Sequence, residues 1–335
     1  MLKIAINGFG RIGRNFLRSV LLDPKASKKI KVVAINVGTA QIEMISHMFK
    51  YDTLMGPFPG SVELKDHMLV VNDFAISIIT ELDPLSIPWV DHSIDWVVEA
   101  TGRFTWRKEA QKHCDAGAKR VLITAPAYEE DVTIIPGVND TDFDPKKHYI
   151  VALGSCTTNA FMPMVKVLHD VFTIKNGLMT TIHAYTNTQV LLDVNAKDLR
   201  RSRAAAVNLI PTTTGVAELI GKIIPELQGC IRAMAIRVPI PKVSLIEFSF
   251  ITQKSISAAT INEVFIAATQ KEPLKNILDV TDYELVSSDF SGNEYSVTID
   301  TNLTDVCGDM GKVFGWYDNE WAFSVRLKDF LLSTI

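Results

Sequence analysis

Short, nearly unbroken apolar runs punctuate the first half of the chain, at residues 3–7, 31–36, 94–100, 120–126 and 149–153. Runs of that length without polar alternation predict strands buried on both faces. Between them the apolar period lengthens: Ile12, Phe16, Leu17, Val20 and Leu21 share one side of a helix, and residues 105–116 read as another. Strands alternating with helices predict a mostly parallel sheet covered by helices. Beyond residue 154 the style changes. Longer strand-like runs at 178–184, 233–238 and 243–251 predict a second domain with a larger antiparallel or mixed sheet. Residues 157–170 read as a helix, and 320–335 as a final helix with Trp321, Phe323, Val325, Leu327, Phe330 and Leu331 as its apolar positions.

The first strand runs directly into Gly8-Phe9-Gly10-Arg11-Ile12-Gly13, and a helix follows. This is GxGxxG in the context its mechanism demands. The first glycine makes the turn, the second admits a pyrophosphate, the third lets helix and strand pack closely, and the helix N-terminus faces the phosphates. The fold class is therefore α/β: a Rossmann dinucleotide-binding domain over 1–154, then an α+β catalytic domain with a large mixed or antiparallel sheet over 155–319. Residues 320–335 are expected to pack back on the first domain. Ligands of such sheets bind beyond the C-terminal strand ends, where Thr101 and Thr124 also fall, although either is equally an ordinary turn residue. The second strand lacks the carboxylate that usually ends it and bonds the adenosine ribose. It ends Asn36-Val37-Gly38-Thr39, with no nearby Arg or Lys in its place, so a 2′-phosphate is permitted but not demanded.

Composition narrows the classes. At 335 residues with net charge −4, the chain is long enough for sizeable cores and has no polybasic surface to suggest nucleic acid or anionic membrane. No apolar run approaches the ~20 residues that span a bilayer, and the opening Met1-Leu2-Lys3-Ile4 leaves no room for a signal peptide. Cys114, Cys156, Cys230 and Cys307 are scattered without CxxC, so neither a metal site nor a disulfide scaffold is expected, and a cytoplasmic location fits.

The chemistry concentrates at Gly154-Ser155-Cys156-Thr157-Thr158-Asn159 and at His183-Ala184-Tyr185-Thr186. A strand delivers Cys156 to a turn, and a helix starts there. A thiol at a helix N-terminus sits in the positive end of the macrodipole, which favours thiolate. His183, returning on a later strand, completes a Cys/His pair suited to covalent catalysis. A lone cysteine is more often a small core residue and a lone histidine a satisfied one. The flanking hydroxyls and the dinucleotide motif reverse that preference. The polar, irregular stretch 185–208, with Arg200, Arg201 and Arg203 close together, is long enough to expect a role in binding or assembly.

In order along the chain, INGFGRIGR, KYDT, EATGRF, ITAP, SCTTN, HAYTNTQ, DLRRSRAA, PTTTG, IRVP and WYDNEW resemble the phosphorylating glyceraldehyde-3-phosphate dehydrogenase family over essentially the whole length. The resemblance implies reversible oxidative phosphorylation of D-glyceraldehyde 3-phosphate to 1,3-bisphosphoglycerate, with Cys156 as nucleophile and His183 as base. It implies one phosphate site from Thr186 and Arg237. A second, for inorganic phosphate, would use Ser155, Thr157, Thr214, Gly215 and either Arg200 or Arg203. Gly8, Gly10, Arg11, Ile12, Gly13, Thr101 and Thr124 would hold the cofactor, and Asn319 would bond its nicotinamide carboxamide. The family also implies a homotetramer. Departures bear on the cofactor: Val37 stands where NAD-using members carry aspartate, Leu82 replaces an arginine near the adenine, and Asn195 takes a position that is often proline. They lean towards dual NAD/NADP use or NADP preference. Ala160 replaces the usual second cysteine, Leu153-Gly154 an Asn-Ala pair, and Ala322-Phe323 a Gly-Tyr pair. An erythrose-4-phosphate dehydrogenase, which hydrolyses its thioester, is the enzymatic alternative. A non-catalytic nucleotide-binding protein is the alternative of another class.

Overall fold

A computed structural model describes residues 1–335. The chain divides into two compact units: Met1–Ile134 with Thr141–Gly154 and Ser324–Ile335, and Ile135–Asp140 with Ser155–Phe323.

The first unit is built on nine strands: β1 (Leu2–Asn7), β2 (Ile30–Asn36), β3 (Val62–Lys65), β4 (Met68–Val71), β5 (Phe74–Ile79), β6 (Trp96–Glu99), β7 (Arg120–Ile123), β8 (Val132–Thr133) and β9 (Ile150–Ala152). Their order is β3-β4-β5-β2-β1-β6-β7-β9-β8. All pairs are parallel except β3 with β4 and β4 with β5. That antiparallel edge lies in residues 62–79, which the apolar pattern did not single out, because its short strands alternate in burial instead of forming apolar runs. β1 pairs with β2 on one side and β6 on the other, so its end at Asn7 lies where the strand order reverses. Among the helices, α1 (Arg11–Leu22) follows β1 at once. The C-terminal residues belong here too: Lys328 Nζ lies 2.7 Å from Asp23 Oδ2, and Phe330 meets Trp96 edge-on.

Buried polar groups fix the strand ends beneath the glycine motif. Trp89 Nε1–H can only donate, so His113 Nδ1, 3.0 Å away, accepts. The ring proton therefore sits on Nε2 and is donated to Glu99 Oε2 at 3.0 Å. Glu99 also accepts from Asn7 Nδ2 at 2.6 Å and from the Thr101 backbone N–H at 2.8 Å. One carboxylate thus ties the ends of β1 and β6 together, and its donors offset the cost of burying its charge.

The second unit holds β10 (Ile174–Ala184), β11 (Ile210–Thr212), β12 (Ile231–Val238), β13 (Ser244–Thr252), β14 (Leu278–Thr281), β15 (Val297–Asp300), β16 (Asp305–Cys307) and β17 (Met310–Tyr317). The sheet order is β11-β12-β10-β13-β17-β15-β14, with β16 beside β17. It is mixed: β10 runs parallel to β12 and antiparallel to β13. Alternate residues of β13, Ile246, Phe248 and Phe250, enter one core with Phe161, Met164 and Leu168 from the helix Cys156–Phe172 and Phe265 from the helix Ala258–Thr269. Phe161 stands edge-on to Phe248 with ring centres 4.8 Å apart. Anchored along this face, the helix Cys156–Phe172 has little freedom to shift. No helix of the chain is long and apolar enough to cross a membrane.

The second and third glycines of the motif should respond unequally to alanine. A Cβ on Gly13 would lie 2.2 Å from Gly8 O, whereas one on Gly10 meets nothing within 4 Å. Gly13→Ala is expected to cost about 3 kcal/mol or more by forcing helix and strand apart, and Gly10→Ala to stay within about 0.5 kcal/mol. Urea unfolding of the two variants checks this; equal stabilities would refute it.

Candidate active site

Chain direction and capping deliver the thiol. After β9 the backbone turns through Gly154 at φ +62°, and Ser155 Oγ accepts from the Thr158 N–H at 3.1 Å, capping the helix Cys156–Phe172. Cys156 is the first residue of that helix. His183 lies at the end of β10, and its Nε2 is 3.6 Å from Cys156 Sγ. The structure therefore brings together the two residues that sequence reasoning paired. His183 Nδ1 is 2.6 Å from Ala184 O, which can only accept. With the ring proton on Nδ1, donated to that carbonyl, the Nε2 lone pair faces the sulfur. Arg237 Nη1 donates to the same carbonyl at 3.0 Å and lies 2.5 Å from Nδ1.

Burial dominates the electrostatics. It pushes the His183 pKa down to about 3, and the neighbouring Arg237 charge adds to that. It also pushes the Cys156 thiol up, against the opposing pull of Arg237 and of the Thr157 and helix N–H groups. The helix terminus does favour the anion, but loss of hydration outweighs it. Both shifts favour a neutral pair, and His183 Nε2 stands in place as the acceptor for the thiol proton.

The other expected site residues are distributed less evenly. Thr157 Oγ1 is 3.9 Å from Cys156 Sγ and is bonded to the Tyr317 hydroxyl at 2.9 Å. Arg237 Nε is buried without a partner, so a further acceptor is needed for its fork. Thr186, just past β10, bonds Thr188 Oγ1 at 2.9 Å and takes Gln189 Oε1 on its N–H. Thr214 and Gly215 directly precede the helix Val216–Ile223, where Gly215 provides no side-chain cap. Arg200 is exposed, and Arg203 pairs with Asp193 on the surface at 2.6 Å. The arginine of that cluster turned inward is Arg201. Its Nε donates to Thr212 Oγ1 at 2.7 Å, and its charge acts on Arg237. Nothing in the irregular 185–208 text distinguished it, because no periodicity assigns faces to a loop.

Several residues missed in the sequence lie beneath the pair. Tyr317, fully buried, bonds Thr157 and also Thr181 at 2.8 Å. Ser244 Oγ accepts from the Ala184 N–H at 3.1 Å and donates to Asn319 Oδ1 at 3.2 Å. Their only sequence signal was a hydroxyl at an inward strand position, which reads as ordinary alternation.

In the first unit the glycine motif fits a dinucleotide. Gly8 takes φ +94°, and a Cβ there would lie 2.7 Å from Thr101 Cγ2. α1 begins after Gly10 with no side-chain cap and no acidic residue in its first turn, while the space a Cβ of Gly10 would enter is open. Uncapped N–H groups beside open space suit a pyrophosphate. Arg11 is ion-paired with Asp52, and Ile12 and Gly13 continue the first turn. Thr124 Oγ1 donates to the Glu99 carbonyl at 3.1 Å, and Thr101 Oγ1 donates to the Glu99 carboxylate, so both hydroxyls already serve the strand ends.

Comparison with known proteins agrees with this construction. A family described as "Glyceraldehyde 3-phosphate dehydrogenase, NAD binding domain" matches residues 2–107, and its "C-terminal domain" counterpart matches 155–319. The chain is 46% identical over 328 residues to a glyceraldehyde-3-phosphate dehydrogenase of Geobacillus stearothermophilus, covering 98% of this chain and 96% of the relative. It is 44% identical over 330 residues to glyceraldehyde-3-phosphate dehydrogenase 2 of Bacillus subtilis, covering 98% and 95%. With both domains matched and identity sustained end to end, the chain belongs to the glyceraldehyde-3-phosphate dehydrogenase family of NAD(P)-dependent oxidoreductases.

Proposed function

We propose that this chain reversibly converts D-glyceraldehyde 3-phosphate and inorganic phosphate to 1,3-bisphosphoglycerate through a thioester on Cys156. The observation that supports this most directly is Cys156 Sγ at 3.6 Å from His183 Nε2, with the opposite ring nitrogen held by the Ala184 carbonyl. His183 takes the thiol proton as sulfur attacks the aldehyde carbon, then returns it to the oxygen, leaving a hemithioacetal. The Cys156 N–H, at the N-terminus of its helix, is a donor for the oxyanion that develops between those events. The nicotinamide cofactor, when bound, supplies the hydride acceptor for oxidation of the hemithioacetal to the thioester. His183 removes the hydroxyl proton as the carbonyl re-forms. A phosphate oxygen then attacks the thioester carbon, the C–S bond breaks, and the leaving thiolate recovers a proton from His183.

Arg237 and Thr186 bind the substrate phosphate in this reading. The unpartnered Arg237 Nε supports that role. Ser155, Thr157, Thr214 and Gly215 serve the attacking phosphate, with Arg201 in place of Arg200 and Arg203 because Arg201 alone is turned towards Arg237. Gly8, Gly10, Arg11, Ile12, Gly13, Thr101 and Thr124 serve the dinucleotide, and Asn319 its carboxamide. The relatives' names favour triose phosphate over erythrose 4-phosphate. Exposed Leu191, Leu192, Leu199 and Leu209 in and beside the 185–208 segment support assembly with further copies, read as a homotetramer. Free thiols at all four cysteines suit the cytoplasm.

NADP use rests on Val37. It follows β2, whose last residue Asn36 is committed to Asn7 and to Glu81, so no carboxylate is presented to a 2′-phosphate. Leu82, 60% exposed, stands beside Gly38, and Asn195 is exposed in its loop.

Three outcomes test the proposal. Cys156→Ser should abolish measurable turnover, and His183→Asn should lower kcat by about 100-fold or more; phosphate-dependent reduction of the cofactor is the assay, and full activity in either variant would end the covalent reading. The ratio of kcat/KM values should show NADP at least comparable with NAD, and Val37→Asp should move preference towards NAD by about tenfold or more through charge repulsion. Strong NAD selectivity in the unmodified protein would refute this. Finally, the unfolded chain protonates His183 near pH 6.5 but the folded chain only near about 3. Stability from this group is present above the unfolded value and falls as pH drops through that window. His183→Gln should flatten that part of the profile, measured by urea unfolding between about pH 7.5 and 4.5.

A further inference from the structure

The segment 242–244 grips the segment 318–319 at two adjacent points. Lys242 Nζ lies 2.9 Å from Asp318 Oδ2, and both side chains are buried. Asp318 is held by three backbone donors as well: Gly292 N at 2.8 Å, Trp321 N at 2.9 Å and Glu320 N at 3.1 Å. Two residues on from Lys242, Ser244 donates to Asn319 Oδ1 at 3.2 Å. Between the two contacts Val243, fully buried, adopts φ +67°, a left-handed conformation that a β-branched residue avoids. Strain of that kind persists only where surrounding contacts impose it, and it clusters at functional positions. Here it lets Lys242 and Ser244 reach neighbouring residues of one turn. An extended residue at 243 would send these side chains to the same face at strand spacing.

Ser244 has one proton to give. Its oxygen already accepts from the Ala184 N–H at 3.1 Å, which leaves that proton for an acceptor. Asn319 Oδ1 is a pure acceptor, whereas the Tyr317 hydroxyl, which also neighbours Ser244, is already bonded to Thr157 at 2.9 Å and Thr181 at 2.8 Å. Donation to Oδ1 fixes the orientation of an otherwise two-fold ambiguous amide and leaves Nδ2, which has no protein acceptor, to point away from Ser244.

We propose that Ser244 is a positioning residue for the nicotinamide: its hydroxyl locks the Asn319 amide with Nδ2 outward, ready to donate to the carboxamide carbonyl, and so helps decide which face of the ring is offered to the substrate carbon. The inference rests on the reading of Asn319 as the carboxamide contact.

Ser244→Ala removes one oxygen from a strand residue paired with Tyr317 and adds no volume, so the fold is retained. Three quantities are measured: the dissociation constant of the oxidised dinucleotide by tryptophan fluorescence without aldehyde, the fraction of deuterium transferred to the wrong ring face, and the rate of Cys156 alkylation by iodoacetamide. Ser244→Ala should weaken dinucleotide binding about tenfold and produce detectable wrong-face transfer, with alkylation within about twofold of wild type. Asn319→Ala should show the same defects, and the double variant no more than Asn319→Ala alone. Unchanged binding and face selectivity in Ser244→Ala, beside a defective Asn319→Ala, would overturn the role of Ser244 only. A silent Asn319→Ala would overturn the reading of Asn319 and the proposal with it. A large change in alkylation would mean that the hydroxyl acts through Ala184 and His183, and would equally overturn it.

Discussion

The chemistry of this protein depends on a sulfur atom and an imidazole nitrogen held 3.6 Å apart by two unrelated pieces of backbone. Neither piece sets that distance alone. The sulfur's place comes from a helix whose inward face is locked into the core, with Phe161 edge-on to Phe248. The nitrogen's place comes from a strand bonded on both sides, to β12 and β13. Close packing converts these elements into fixed points, since a shift of either would open voids along its whole length. The reactive distance is a by-product of a hydrophobic core.

Burial has a second consequence. The same exclusion of water that makes a thioester worth protecting also disfavours every charge in the pair. It raises the thiol and lowers the imidazole, and the adjacent guanidinium helps the sulfur while opposing the ring. Both shifts favour the neutral pair over the ion pair. Arg237 is the one cation set against this pair, and it shares the Ala184 carbonyl with His183. Its position couples the phosphate reading of Arg237 to the proton reading of His183 through a single backbone oxygen.

Beneath these groups the polar interior is organised by hydroxyls. Tyr317 joins Thr157 on the helix to Thr181 on β10, and Ser244 joins the end of β10 to Asn319. Such contacts are individually modest, yet each satisfies a buried donor or acceptor that would otherwise be costly. The first unit uses the same device, with Glu99 satisfied by Asn7, Thr101 and His113. In both units a polar cluster lies where strands end.

Most of the elements and the reacting pair were legible in the sequence. Parallel strands buried on both faces are written as apolar runs, GxGxxG between strand and helix has few other uses, and Cys156 and His183 sit at the ends of elements that the pattern already delimits. The final helix was expected too, although Trp321, Phe323, Val325 and Leu327 alternate instead of keeping helical period, because this helix is buried on nearly every side. Only folding fixed which arginine of a loop cluster turns inward, that burial opposes ionisation of the thiol, that Val243 adopts a left-handed conformation, and that residues 62–79 form the edge of the sheet. The physical reason is common to all four. Periodicity reports which side of an element is dry, and that is a local property. The direction of a loop side chain, the degree of desolvation around a sulfur and the strain a residue tolerates are set by groups distant along the chain, whose arrangement exists only after folding.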